Sequence, residues 1–283
     1  MPSPRELVRR IEHFTVLDTV AEPVRGLVSR VVRPRLVRNL LSGTNLGHPV
    51  HPMLTDVPIG AWSMSALLDT VGGASAEPAA DLLVGAGILS AIPTAMTGLN
   101  DWSDTIGEET RLGVMHAGAN VAALGLYTAS LLARRSGRRG VGKALGLAGL
   151  GVLMVGGYLG GHLSFGRAVN VNHTAFEHGP QEWTPVLADA ELDEGEHRRV
   201  SADGASVLLA RDGGQLYALA NTCTHAGGPL DEGELIDGCV ICPWHASTFR
   251  LTDGKIVRGP ASTPQPTYQT RVREGKIEVR SSG

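Results

Sequence analysis

The chain has 283 residues, with 25 Lys and Arg against 28 Asp and Glu and a formal net charge of −3. That length has room for two domains, and no segment has the basic balance that nucleic-acid binding uses. The composition is uneven: residues 48–165 are rich in Ala, Gly and Leu and poor in charge, while both flanks are polar.

The first 47 residues hold eight Arg and four acids. Leu7, Ile11 and Phe14 follow helical spacing, and Val24, Leu27, Val28, Val31 and Val32 resume it after Pro23 with Arg interspersed. Residues 1–47 are therefore expected to form basic amphipathic helices. These lie in a lipid interface or pack on the acidic C-terminal region.

Four apolar stretches follow, at about 53–72, 80–99, 112–133 and 144–165, each close to the length a helix needs to cross a bilayer. Gly156/Gly160 and Gly157/Gly161 form overlapping GxxxG pairs, which let helix backbones approach closely in lipid. Asp69 and Asp81 suit a soluble bundle instead. The pattern reads as an all-α, four-helix transmembrane bundle over residues 48–167.

Four crossings would put His48, His51, His116 and His162 on one side of the bilayer, with the last two about a turn deep. Ionisable groups there are functional candidates. The expectation is a b-type haem or second metal held by two of them, with His116 and His162 as the best pair. Quinone binding, proton shuttling and simple inter-helix hydrogen bonding are the alternatives. Gly47-His-Pro-Val-His-Pro, the Asp56-Val-Pro-Ile-Gly-Ala-Trp run and the Ala/Gly-rich helices resemble a bacterial membrane family, domain of unknown function 2231, over roughly 45–167. That resemblance implies architecture and no activity.

Residues 168–180 form a polar linker in which His173 and His178 read as surface residues. Beyond it, residues 181–283 carry strand signals. Val207–Ala210 and Leu216–Ala220 flank Asp212-Gly-Gly, a hairpin turn, and Lys276–Arg280 alternates after Glu274-Gly.

Within this all-β region stand Cys223-Thr-His225 and, after sixteen intervening residues, Cys242-Pro-Trp-His245. Two thiolates and two imidazoles from two short loops are the donor set of a [2Fe–2S] centre with Cys on one iron and His on the other. A tetrahedral Cys2His2 zinc site would use the same atoms, although zinc fingers pair Cys with Cys and His with His. A Cys–His nucleophile would not need four donors in two matched loops. Cys239 reads as a buried strand residue, so the three cysteines leave no pair for a structural disulfide.

The flanks, Cys223-Thr-His-Ala-Gly-Gly-Pro-Leu, Cys242-Pro-Trp-His-Ala-Ser-Thr-Phe-Arg and Asp253-Gly-Lys-Ile-Val-Arg-Gly-Pro-Ala, resemble the Rieske domains of bacterial ferredoxins. The resemblance implies that Cys223 and Cys242 bind the buried iron and that His225 and His245 bind the outer one. High-potential Rieske proteins add a disulfide between the loops, where this chain has Gly227 or Gly228 and Trp244. They also place a Ser and a Tyr near the cluster sulfurs, where this chain keeps Ser247 but has Phe249. One missing hydrogen bond to sulfur implies a low to intermediate potential.

The expected function is a membrane-anchored Rieske-type one-electron carrier, exchanging electrons at the His225–His245 edge with a redox partner protein or a quinone. The alternatives are a quinone- or haem-linked oxidoreductase subunit using the membrane histidines, and the ferredoxin component of a ring-hydroxylating oxygenase system. Arg134–Lys143 and the N-terminal arginines lie on opposite sides of the bilayer, so the positive-inside rule is divided. Neither a secretory signal nor a twin-arginine signal is seen, since Arg9-Arg10 is followed by the polar Ile11-Glu-His-Phe. The expected location is the bacterial inner membrane, multi-pass, with the Rieske domain facing the cytoplasm.

Overall fold

A computed structural model describes residues 3–282. They fall into two units, one within Met1–Arg33 and Val50–Val169, the other within Pro34–Pro49 and Asn170–Gly283. The N-terminal unit is helical and the C-terminal unit is largely β.

The helical unit opens with α1 (Pro4–Glu12), capped by a reciprocal Ser3–Glu6 box, and α2 (Asp18–Val31), which runs through Pro23. Val8 and Glu12 are the buried residues of α1, which leaves Leu7 and Phe14 exposed. Four long helices follow: α4 (Val50–Val71), α5 (Glu77–Trp102), α6 (Glu108–Arg135) and α7 (Arg139–Gly161). They correspond to the four apolar stretches. Two of them, within Ala74–Trp102 and Arg139–Gly166, are long and apolar enough to cross a membrane. Asp56 and Asp69 dilute α4, and His116 and Asn120 dilute α6.

Several small residues face inward in this unit. The Trp62 ring fills the space beside Gly87 and Tyr127 that beside Gly149, and the two rings stack at 4.2 Å. Ser65, Thr97, Asn100 and Ser130 are buried, whereas Leu82, Leu89, Val121 and Met154 are each about 70 % exposed. At one end the fully buried Arg134 side chain pairs with Asp69 and Asp81, and Arg139 bonds Asp81 and Glu77. The two acids that suited a soluble bundle are thus neutralised in place.

The β unit holds ten strands among the described residues. A six-stranded antiparallel sheet runs β1 (Thr184–Ala188), β10 (Lys276–Ser281), β9 (Thr267–Arg273), β4 (Gln215–Ala220), β3 (Ala205–Asp212), β2 (His197–Ala202). A four-stranded sheet runs β5 (Glu234–Ile236), β6 (Cys239–Ile241), β7 (Thr248–Arg250), β8 (Ile256–Arg258). The β3–β4 hairpin turns through Gly213 and Gly214, both at positive φ, as Asp-Gly-Gly led us to expect. Leu208, Leu219, Leu230, Val240 and Phe249 form a core that also contains the side chains of Cys223 and Cys242. Helix α3 (Arg35–Ser42), which the sequence groups with the basic N-terminal segment, belongs to this unit.

Candidate metal centre

Two loops carry the four expected donors. The first leaves β4 and leads to β5; the second joins β6 to β7. They share one backbone design. In the first loop Cys223 N–H donates to Gly228 C=O at 2.8 Å and Gly227 N–H to Cys223 C=O at 2.9 Å. In the second, Cys242 N–H donates to Ser247 C=O at 2.8 Å and Ala246 N–H to Cys242 C=O at 3.0 Å. The fifth residue of each loop has positive φ, 77° at Gly227 and 57° at Ala246. Glycine adopts that conformation freely, whereas Ala246 holds it at a cost.

These loops bring the donors together as two pairs. Cys223 and Cys242 are 1 % and 3 % exposed and hydrogen-bond each other. The shared hydrogen bond and burial push the Cys223 thiol up. The same bond, aided by the N–H groups of Trp244 and His245, pulls Cys242 down to about 7. One thiol of the pair is thereby ready to be a thiolate. The His225 and His245 rings are half-buried, 4.9 Å apart and nearly perpendicular, and both Nδ1 atoms are buried. Burial, followed by the positive charges of His245, Arg38 and His173, lowers His225 to about 3. Neutral imidazole is the form that binds a metal.

The cradle is closely fitted. A Cβ added at Gly228 would lie 3.0 Å from Cys242 Sγ and from the Trp244 ring. Ser247 is fully buried, and its Oγ accepts from Ala261 N–H at 3.0 Å. A serine hydroxyl that accepts one bond still has a proton of its own to donate. Phe249 is fully buried in the core. Cys239 is in β6 as expected, but half-buried rather than buried.

Sequence reasoning missed Gln265. This residue is 2 % exposed; its Nε2 donates to Ala220 and Thr222 C=O at 2.7 and 2.6 Å, and its Oε1 accepts from Thr224 N–H at 3.2 Å. It pins the first ligand loop to the end of β4. A lone Gln in a Pro-rich run carries no periodic signal. A cavity of about 290 Å³ opens beside His225, lined also by His48, Asn172, Thr224, Ser262 and Thr263. His173 and His178 are exposed, as expected.

The four histidines named as candidates for a second metal or haem, two of which would hold it, are divided between the units. His48 belongs to the β unit, and the other three lie in the helical unit. His51 and His116 are the ring pair there, 6.4 Å apart. Their Nδ1 atoms donate to Thr94 C=O at 3.0 Å and Gly156 C=O at 2.8 Å. His162 faces Glu12 of α1 at 3.6 Å. The groove at Gly156 and Gly160 holds the His116 ring, while α1 supplies a carboxylate to His162. Among the described residues, no three His, Cys, Asp or Glu are placed to hold a single metal ion.

Residues 182–269 match the family described as Rieske [2Fe-2S] domain, and residues 47–173 match that described as Predicted membrane protein (DUF2231). Ferredoxin CarAc of Metapseudomonas resinovorans is 35% identical over 100 residues, which cover 35% of this chain and 94% of that protein. Apoptosis-inducing factor 3 of Mus musculus is 34% identical over 92 residues; the match covers 32% of this chain and spans 15% of that longer protein. Among solved structures, the ferredoxin of carbazole 1,9a-dioxygenase from Nocardioides aromaticivorans IC177 shares 28% identity, covering 36% of this chain and 100% of that one with a TM-score of 0.35.

Proposed function

Over residues 182–269 the chain belongs to the Rieske [2Fe-2S] family, and from that premise we propose that Cys223 and Cys242 hold one iron and His225 and His245 the other. When bound, the cluster takes up and returns a single electron, with a potential raised by its two neutral imidazole ligands. The observation that carries the assignment is the division of the donors into a buried thiol pair and a half-buried imidazole pair. A tetrahedral zinc site needs four donors around one ion, and two separate pairs suit two irons better. The cysteines sit against the apolar core, which keeps water from the inner iron. The imidazoles and the half-exposed Trp244 form the outer edge, where a redox partner protein docks.

The carrier is attached to a membrane. Helices α4 to α7 cross the bilayer of the bacterial inner membrane, with large apolar side chains outside and small or hydroxylated ones inside, the pattern that lipid favours. Four crossings return the chain to the side on which it began, so the N-terminal segment and the Rieske unit share one face. Of the loop cations, Arg134, Arg139 and Lys143 are engaged by acids. That leaves less free positive charge to oppose a cytoplasmic N-terminus.

One observation favours a second kind of partner: the cavity beside His225 has room for a quinone ring. A short-chain benzoquinone would then reoxidise the reduced protein rapidly, and Ser262→Trp, which fills the cavity, would slow it. The assignment of ligands is tested by metal analysis. The purified chain is expected to hold two irons and two acid-labile sulfides, and Cys242→Ser to hold neither. Full iron in that variant would refute the ligand set.

A further inference from the structure

The helical unit repeats one design twice. Helix α4 packs on α5 as α6 packs on α7, and the polar contacts recur residue for residue. His51 Nδ1 donates to Thr94 C=O at 3.0 Å, and His116 Nδ1 to Gly156 C=O at 2.8 Å. Ser65 Oγ donates to Ala80 C=O at 3.0 Å, and Ser130 Oγ to Gly142 C=O at 2.6 Å. The Trp62 ring lies against Gly87 and the Tyr127 ring against Gly149. Each α6 residue named here stands 65 positions after its α4 counterpart, the separation of Asp69 and Arg134. Each α7 residue stands 62 positions after its α5 counterpart, the separation of Glu77 and Arg139.

Two copies related by a two-fold axis bring equivalent residues together on that axis. Trp62 stacks on Tyr127 at 4.2 Å, and Asp69 pairs with Arg134. His51 and His116 are the third such pair, half-buried, with ring centres 6.4 Å apart and planes at 87°. Both are held alike. A Cβ at Gly98 would lie 2.7 Å from His51 Cε1, and one at Gly160 would lie 2.8 Å from His116 Cε1. Glycine at these two positions lets each imidazole reach the carbonyl one turn earlier on the neighbouring helix.

We infer that His51 and His116 are the two axial ligands of a single b-type haem iron on this axis. Nδ1 bonded to a backbone carbonyl leaves Nε2 as the bare nitrogen, the arrangement that metal-bound histidines usually show. His51 Nε2 has no hydrogen-bond partner among the described residues. His116 Nε2 lies 3.2 Å from Asn120 Nδ2, an amide that also donates to His116 C=O at 2.9 Å and keeps that partner when iron takes the nitrogen. An imidazole binds a metal at about 2 Å, so two in trans across one ion have centres about 6 Å apart, and two at a tetrahedral angle about 5 Å apart. The separation of 6.4 Å suits the trans arrangement, whereas His225 and His245 stand at 4.9 Å. A bare zinc ion asks for four ligands, and among the described residues no three His, Cys, Asp or Glu are placed around one ion. A haem brings four nitrogens of its own and leaves two trans positions for the protein. With both filled, the iron has no open position for dioxygen, so the haem is of the electron-carrying kind. None of this depends on the ligands assigned in the β unit.

The test uses the full-length protein, produced with haem precursor and purified in detergent. Wild type is expected to show a Soret band, one haem per chain and, when oxidised, the resonance of low-spin ferric haem. His51→Ala and His116→Ala should each lose most of the haem, and His162→Ala should keep it. Imidazole added to His51→Gly should restore the band, which a residue that only joined helices would not allow. A wild-type protein without a Soret band overturns the inference, whether or not it holds a bare metal ion and whether or not the iron–sulfur signal is present. A full band in both alanine variants also overturns it. Should the alanine variants fail to fold, His116→Met decides. Low-spin haem with a spectrum altered by sulfur ligation supports the inference, and a spectrum identical to wild type overturns it.

Discussion

At Gly228 the first ligand loop lies against Cys242 Sγ and Trp244, with no space for a methyl group between them. Gly228→Ala is expected to lose more than half of the bound iron, measured per chain after purification; full loading would show that the cradle tolerates displacement. Phe249 has no hydroxyl to offer a cluster sulfur, whereas Ser247 keeps a free proton. The potential should therefore fall in the lower half of the Rieske range of about −150 to +300 mV, and a value near the top would contradict this. His225 gives a pH prediction for the iron-free protein. Its folded value of about 3 lies below the ordinary 6.5, because burial disfavours the cation. Between those values the unfolded chain binds a proton that the folded chain does not. Its contribution to stability is full above pH 6.5 and is lost as the pH falls toward 3. The urea midpoint of the iron-free β unit should drop between pH 7 and pH 4.5, and an unchanged midpoint would refute the assignment.

Individual elements are held by a few buried polar groups, and these were the least legible parts of the sequence. Gln265→Ala removes three hydrogen bonds and is expected to cost roughly 2–4 kcal/mol, seen as earlier thermal melting with loss of cluster. Arg134→Met strands Asp69, whose side chain is only 4 % exposed; a loss of about 3–5 kcal/mol is expected. Adding Asp69→Asn should recover part of it. No loss in the single variant would mean that Asp69 is not committed to Arg134. The ligand loops could be read because iron–sulfur chemistry demands particular donors at close spacing. The long helices and the β3–β4 hairpin were legible because apolar runs and Asp-Gly-Gly have direct physical meanings. The membership of α3 was not, since its Arg-rich amphipathic pattern continues that of α1 and α2. Helix register was half legible: of the two GxxxG pairs, Gly156 and Gly160 receive Asn120 and His116, while Gly157 has nothing within 4 Å. Spacing alone does not say which pair faces a neighbour.

The molecule joins two chemistries: a helical unit with apolar side chains outward and small ones inward, and a β unit with four donors at its ligand loops. Placed in vesicles, the chain should resist extraction by alkaline carbonate. Single cysteines at Gly137 and Gly195, in a background lacking Cys239, should label from opposite sides of the membrane; labelling from the same side would exclude four crossings. The central claim concerns the paired thiols and imidazoles. Its most direct test is electron paramagnetic resonance of the full-length protein after chemical reduction, with metal content measured on the same sample. The account predicts two irons per chain and the rhombic signal of a reduced [2Fe–2S] centre carrying two nitrogen ligands. A colourless protein holding one zinc per chain and giving no signal would contradict it.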